Sequence, residues 1–177
     1  MISDEELALH VQQGQREAWT MLIERHYEAL LNYLYRMSSQ RATADDWTQE
    51  TFVRVWQRIS LYTYLRPFRP WLYTIATYLA RNTLASAEQR HTPSAAAEAD
   101  YADPLPQPED VLLAHDSAQQ VLKALNQLPP HQREVVVLFY YHEMPQAEIA
   151  EVLGIPVGAV KSRLSLGIKR LREMMGE

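Results

Sequence analysis

Apolar residues recur along most of this chain at intervals of three and four, the spacing of one face of an α-helix. Ser3 followed by Glu6 is a capping-box pattern that opens a first helix, and Gly14 closes it. A longer helix follows to about Met37, with Trp19, Leu22, Ile23, Tyr27, Leu30, Leu31 and Leu34 on one face. Ser38 to Ala42 breaks it. Thr43 then reads as an N-cap, with Asp45 and Asp46 in the first turn where carboxylates favour the helix dipole. That helix runs to about Ser60 and buries Trp47, Phe52, Val55, Trp56 and Ile59. After a short loop, Tyr62 to Pro67, a further helix spans roughly Phe68 to Ala87, with Trp71, Leu72, Ile75, Leu79 and Leu84 inward.

The pattern then fails. Between Ala87 and Ser117 there are seven acids, one Arg and four prolines, among small residues such as Ser94-Ala95-Ala96-Ala97. Such a stretch has too little apolar surface to order itself, so it reads as a flexible acidic linker. Helical periodicity resumes from about Asp110 to Leu128, and Pro129-Pro130 makes a turn. Val135 to Phe139 would suit a buried strand on propensity alone. With no partner strand legible elsewhere, a helix from about His131 to His142 is the expectation. The predicted fold is all-α: two helical domains, residues 1–87 and 113–177, joined by a linker over 88–112.

The last segment, Pro145 to Leu164, reads as two short helices about a glycine turn. Pro145 and Pro156 suit the first turns of helices, where a missing N–H costs nothing. Gly154 can adopt the left-handed conformation that ends the first helix, and Ala150 is small enough for a crossing helix. Val157, Val160, Leu164, Ile168 and Leu171, spaced 3, 4, 4 and 3 apart, form one buried stripe. Ser162, Leu166 and Lys169 point away from it, flanked by Arg163, Ser165 and Arg170. This is the form of a helix-turn-helix, which sets its second helix in the DNA major groove.

Charge strengthens that reading. The chain of 177 residues has a net charge of −5, yet Val157 to Arg172 holds five Lys/Arg and no acid. A solvated amphipathic helix would also be basic on one side. The glycine turn, the small crossing residue and the one-sided charge together favour DNA. With 47% hydrophobic residues the chain can bury real cores, and its lack of cysteine excludes disulfides and thiolate chemistry. The longest apolar run, Val135 to Tyr141, is far short of the roughly 20 residues that cross a bilayer. The acidic start, Met1-Ile2-Ser3-Asp4-Glu5-Glu6, has no signal-peptide pattern, so a cytoplasmic location is expected.

Three segments carry a resemblance to a family. They are Ala44-Asp45-Asp46-Trp47-Thr48-Gln49-Glu50-Thr51-Phe52-Val53-Arg54-Val55-Trp56, then Phe68-Arg69-Pro70-Trp71-Leu72-Tyr73-Thr74-Ile75-Ala76, and the stretch from Glu148 to Leu164. In this order and at these separations the chain resembles a bacterial RNA polymerase sigma factor of the sigma-70 superfamily, in the extracytoplasmic-function (ECF) group. The resemblance implies two modules, regions 2 and 4, that bind core RNA polymerase and promoter DNA. It also implies control by an anti-sigma factor.

The same resemblance assigns residues. It implies that Asp46, Gln49 and Glu50 dock on the β′ coiled coil of the polymerase. On the residues alone, helix capping and solvent exposure account for these three as well. For recognition and opening of the −10 element it implies Tyr62, Tyr64, Arg66, Arg69, Tyr78 and Arg81, since melted strands need aromatic surfaces and a basic track. Phe68 and Trp71 fit the core better. The chain departs from the family pattern at Thr77-Tyr78, where Arg-Asn is usual, and at Ala85 to Arg90, where an Arg-rich run is usual. For the −35 element it implies Lys161, Ser162, Arg163, Leu166, Lys169 and Arg170, with Arg163 the candidate for a bidentate base contact. The N–H groups near Val157–Ala159 could hold a phosphate.

Two other readings are weighed. An ordinary helix-turn-helix regulator would grip a palindromic operator as a dimer without polymerase. An enzyme is disfavoured: the six His lack metal-ligand spacing and read as surface or half-buried, and no Gly-rich phosphate loop or nucleophile elbow is present. Asp45-Asp46 with Glu50 could be imagined around Mg²⁺, but capping and docking explain them with less. No cofactor and no metal are expected.

Overall fold

The computed structural model describes residues 1–89 and 109–176, with side chains omitted for 109–116. The described residues form helices and turns only. In chain order the helices are α1 (Asp4–Gln12), α2 (Arg16–Ser38), α3 (Arg41–Arg58), α4 (Phe68–Gln89), α5 (Glu109–Gln127), α6 (Pro130–Tyr140), α7 (Gln146–Leu153) and α8 (Val157–Met175). A 3-10 turn, Ile59–Leu61, follows α3. Of the linker expected over 88–112, residues 90–108 lie outside the described residues.

Local signals set most boundaries. Both hydrogen bonds of the capping box form, Glu6 N–H to Ser3 Oγ at 3.1 Å and Ser3 N–H to Glu6 Oε2 at 2.9 Å. Gly14 (φ +88°) and Gly154 (φ +64°) take the left-handed conformation that lets the chain reverse after α1 and α7. Pro145 and Pro156 sit one residue before α7 and α8, in extended backbone, rather than inside their first turns. The stretch Val135–Phe139 is helical, as the lack of a strand partner required.

One expectation fails at α3. The helix starts at Arg41 with Gln40 as its N-cap, so Thr43 lies inside it and no acid occupies the first turn. Thr43 instead donates to Gln40 Oε1 at 3.0 Å. Asp45 pairs with Arg41 across one turn.

In the N-terminal half, α2 and α4 are the spine. Leu22, Leu30, Leu31 and Leu34 of α2 pack with Leu72, Ile75, Ala76 and Leu79 of α4 and with Val55 of α3, all buried. Each such side chain contributes about 1.5–3 kcal/mol of transfer free energy, so this cluster rather than intrinsic propensity holds the helices. Trp19 and Tyr27 lie across Phe52 at ring separations of 6.0 and 6.1 Å. Two expected core residues are outside it: Trp56 is 47% exposed and Leu84 is exposed at the end of α4. Trp56 meets Trp19 in a tilted ring contact, 5.3 Å between centroids, and is otherwise open to solvent.

In the C-terminal half, Val135–Leu138 of α6 are covered by Ile149, Val152 and Leu153 of α7 and by Val160 and Leu164 of α8. The buried stripe of α8 includes Gly167 and omits Val157, which is exposed. The two halves pack against each other, chiefly α4 on α7 and α2 on α6.

Two of the histidines expected to be surface or half-buried are buried, and both serve structure. His26 shares a 2.7 Å hydrogen bond with Asp4, which Arg25 also pairs. That bond, more than Arg25, holds the Asp4 carboxyl below its ordinary pKa against the opposing effect of burial. His142 lies between the halves, with Tyr33 and Tyr73 rings 5.6 and 5.4 Å away.

Candidate nucleic-acid and polymerase interfaces

Three surfaces hold the residues of interest. On α3 the inner face fills the core with Trp47, Thr48, Thr51, Phe52 and Val55. Thr48 and Thr51 satisfy their buried hydroxyls on the carbonyls of Ala44 and Trp47, at 2.7 and 2.6 Å. The outer face is therefore free to present Asp46, Gln49 and Glu50, all exposed, and it continues into exposed Val53 and Trp56. Glu50 is steadied by Arg54 one turn later, Nε to Oε1 2.8 Å. The result is a mixed acidic and apolar strip, and the periodicity reading had assigned one of its apolar members, Trp56, to the core.

The second surface is the loop before α4. Gln12 reaches from α1 to donate to the carbonyls of Ile59 and Tyr62 at 2.6 and 2.7 Å, and Glu5 Oε1 accepts the Phe68 N–H at 3.0 Å. A carboxylate at that helix start suits the dipole of α4. So braced, the loop displays Leu61, Tyr64 and Leu65, with Leu65 held at φ +74°. A leucine in that conformation is strained by about 1–3 kcal/mol, which the surrounding anchors must sustain.

Tyr62 differs from the expectation for a strand-contacting aromatic. It is 4% exposed, packs on Phe68 and Trp71, and donates its hydroxyl to the Arg66 carbonyl. Burial raises its pKa to about 12. Tyr64 and Tyr78 remain exposed, Tyr78 at 58%. Thr77 has an evident physical role: it is buried and hydrogen-bonded to the Tyr33 hydroxyl at 2.8 Å, a place with no room for a solvated arginine. Arg66, Arg69 and Arg81 all engage the C-terminal half. Arg66 pairs with Glu151 at 2.8 Å, Arg69 donates to the His142 carbonyl, and Arg81 grips Glu134 through two bonds of 2.8 and 2.6 Å.

The third surface is α8. Lys161, Ser162, Leu166, Lys169 and Arg170 are exposed, while Arg163 is half-buried at the edge nearest Gly167. Arg170 also donates to Gln132 Oε1 at 3.3 Å. Lys161 and Lys169 line a groove of about 580 Å³ together with Tyr140, Gln146, Ser165 and Arg172. Tyr140, from the end of α6, was missed because its apolar run suggested the core. At the start of α8, the Ala159 and Val160 N–H groups are already bonded to the Pro156 carbonyl, at 2.9 and 3.2 Å.

An acidic helix face, a braced aromatic loop and a basic second helix of a helix-turn-helix now stand on one all-α chain. The sigma-70 region 2 model matches residues 22–90 and the sigma-70 region 4 model matches residues 118–171. RNA polymerase sigma factor CarQ of Myxococcus xanthus is 36% identical over 93% of this chain and 92% of its own length. ECF RNA polymerase sigma factor BldN of Streptomyces coelicolor is 32% identical over 96% of this chain.

The chain belongs to the ECF sigma factors.

It spans 65% of the length of BldN, whereas CarQ is matched almost end to end. Among solved structures, CnrH in complex with the cytosolic domain of CnrY superposes with a TM-score of 0.76 at 27% identity. That match covers 98% of this sigma factor and 97% of CnrH, so both halves and their mutual placement are shared. No helix among the described residues is long and apolar enough to cross a membrane.

Proposed function

We propose that this sigma factor binds core RNA polymerase through the outer face of α3 and delivers it to a subset of promoters. Asp46, Gln49 and Glu50 supply the polar part of that dock, and Val53 and Trp56 the apolar part. Tyr64, Tyr78, Arg66, Arg69 and Arg81 handle the −10 element and its opened strand. Lys161, Ser162, Leu166, Lys169 and Arg170 read the −35 element, with Arg163 at the flank. The functional division is residues 1–87, 88–112 and 113–177. It forms no bonds itself and acts in the cytoplasm, where the polymerase is.

The observation that carries this reading is the separation of faces. Five exposed side chains on α3 and five on α8 are left out of the core while every apolar face behind them is filled. A −5 protein repels DNA at long range, so promoter binding is expected only in the holoenzyme. An inhibitory protein partner, an anti-sigma factor, is part of the proposal. CnrH, held by a separate protein domain in its solved complex, is the supporting parallel.

The test is co-purification with core polymerase followed by run-off transcription on genomic fragments. Promoter-specific transcripts that require the added chain support the reading. A purified chain that ignores polymerase yet shifts a palindromic operator unaided would instead make it an ordinary helix-turn-helix regulator.

A further inference from the structure

Two side chains of α1 reach the loop that precedes α4, one at each of its ends. Gln12 Nε2 donates to the carbonyls of Ile59 and Tyr62 at 2.6 and 2.7 Å, and Glu5 Oε1 accepts the Phe68 N–H at 3.0 Å. Both partners of Gln12 are carbonyl oxygens, so its NH2 group must face them and both of its protons are used. Glu5 and Gln12 are seven positions apart, two turns of helix, and so share one face about 10 Å long.

The helix that carries them is itself fixed. Leu7, Ala8 and Val11 are buried, and Asp4 is bonded to His26 and Arg25 of α2 at 2.7 and 2.9 Å. Arg25 also donates to the Ile2 carbonyl at 2.8 Å. Helix α1 is therefore a strut, secured to α2 and braced against the loop. The region 2 model begins at residue 22, so this strut lies outside the stretch that carries the family match.

The strut supports a turn of unfavourable shape. The Arg66 N–H bonds to the Thr63 carbonyl at 3.1 Å, which closes a four-residue turn over Thr63–Arg66. Leu65 is its third residue, at φ +74°, whereas Tyr64 before it is not in the left-handed region. A positive φ at the third position alone is the type II form, which favours glycine there. The chain instead places a leucine, 76% exposed. Neither the strain nor the exposed apolar surface helps folding, so the side chain is set for something outside the protein.

We propose that Gln12 and Glu5 are positioning residues for −10 recognition. By pinning the loop at Ile59–Tyr62 and at Phe68, they hold the Thr63–Arg66 turn in the form that offers Tyr64 and Leu65 to the opened strand. They act through the turn and not on the DNA. A tip fixed before DNA arrives distinguishes bases, whereas a loose one adapts to any base and loses the distinction. This rests on the promoter reading above, because without it the turn has nothing to be positioned against.

The test is a competition. The full-length chain with core polymerase is given a promoter and its single-base −10 variants together, as run-off templates of different lengths. The ratio of transcripts reports discrimination, and it does not depend on how much of the chain is folded or bound to polymerase. Gln12→Ala, and Gln12→Glu, which keeps the size but replaces the donor by an acceptor, should each lower the ratio roughly fivefold, the scale of one hydrogen bond. Glu5→Ala should do the same, and Glu5→Gln, which keeps an oxygen to accept the Phe68 N–H, should hold the wild-type ratio. Gln13→Ala, at the exposed neighbouring position, should leave the ratio unchanged. In a Leu65→Gly background, where the turn needs no holding, Gln12→Ala should lower the ratio little further. A wild-type ratio in both Gln12→Ala and Glu5→Ala, or a full additional loss in the Leu65→Gly background, overturns the proposal even where transcription is normal. Absence of polymerase-dependent run-off from the wild-type chain instead removes the promoter reading, and the positioning role with it.

Discussion

Gly167 of α8 faces Val136 of α6 so closely that a methyl group on the glycine would lie 2.8 Å from Val136 Cγ2. The close approach lets the DNA-reading helix lie flat on its support. Ala in place of Gly gains up to about 1 kcal/mol of helix propensity, and overpacking a stiff β-branched neighbour costs about 1–3 kcal/mol. Gly167→Ala should therefore lower stability by about 1 kcal/mol in urea unfolding. Adding Val136→Ala should recover part of that loss, giving a double mutant less destabilised than the sum. Full additivity would mean that the two residues do not press on each other.

His142 should make the packing of the halves sensitive to acid. Its ring is enclosed by Tyr33 of α2 and by Tyr73 of α4, and its Nε2 has no hydrogen-bond partner among the described residues. Burial, then the nearby Arg69 of α4 and Arg36 of α2, push its pKa down to about 4 from 6.5. The folded form thus binds the proton less readily than the unfolded chain. Stability from this group is full above pH 6.5 and drains as pH falls towards 4, by about 3 kcal/mol at most. His142→Phe should remove that part of the loss in urea midpoints measured from pH 7.5 to 4. Asp4, whose pKa is depressed, contributes in the separate window below its ordinary value near 4. Parallel wild-type and variant curves between pH 6.5 and 4 would count against the assignment.

The basic face of α8 should reveal itself through salt. Lys161→Ala and Lys169→Ala should each weaken holoenzyme binding to all −35 sequences alike and reduce the salt slope by about one. Arg163→Ala should abolish −35-dependent transcription while leaving polymerase binding intact. Loss of polymerase binding in that variant would show that the modules do not divide the work as proposed.

Buried Tyr62 and exposed Tyr78 should separate in mutants. Tyr62→Phe removes one hydroxyl hydrogen bond to Arg66 and should cost about 1 kcal/mol of stability, with promoter opening kept. Tyr78→Ala should leave the melting temperature within about 1 °C and slow opening, as an exposed residue can act only through what it touches. Permanganate footprinting of the opened strand distinguishes the two.

On α3, Trp56→Ala and Asp46→Lys should each weaken capture by core polymerase at least tenfold, the loss expected of an interface anchor. Far-ultraviolet circular dichroism should stay unchanged for Asp46→Lys, since that side chain is exposed. Unaltered capture by both variants would move the dock elsewhere.

Much of the fold was legible from local rules. Ser3 with Glu6, Gly14 and Gly154 announce helix ends because each satisfies or relieves a specific backbone group. The stripes of α2 and α4 follow from helical periodicity. Where the reading erred, periodicity met a competing contact. Trp56 lies at a core-like spacing, but its tilted contact with Trp19 leaves it 47% exposed. Tyr62 sits in a loop, yet Phe68, Trp71 and the bracing Gln12 draw it inside. Thr43 has the chemistry of an N-cap, but the backbone had already entered the helix at Arg41. His26 and His142 carried no spacing signal, because their partners are 22 and 69 positions away in sequence.

The order of residues alone determined eight helical stretches, a basic helix after a glycine turn, and kinship with sigma factors. These depend on neighbours within a turn or two, and such short-range preferences can be read along a line. Only the tertiary structure decided that Arg66, Arg69 and Arg81 are spoken for by Glu151, the His142 carbonyl and Glu134. A charge shows its sign in the sequence, but whether it meets solvent, DNA or a buried carboxylate depends on which distant helix folds over it.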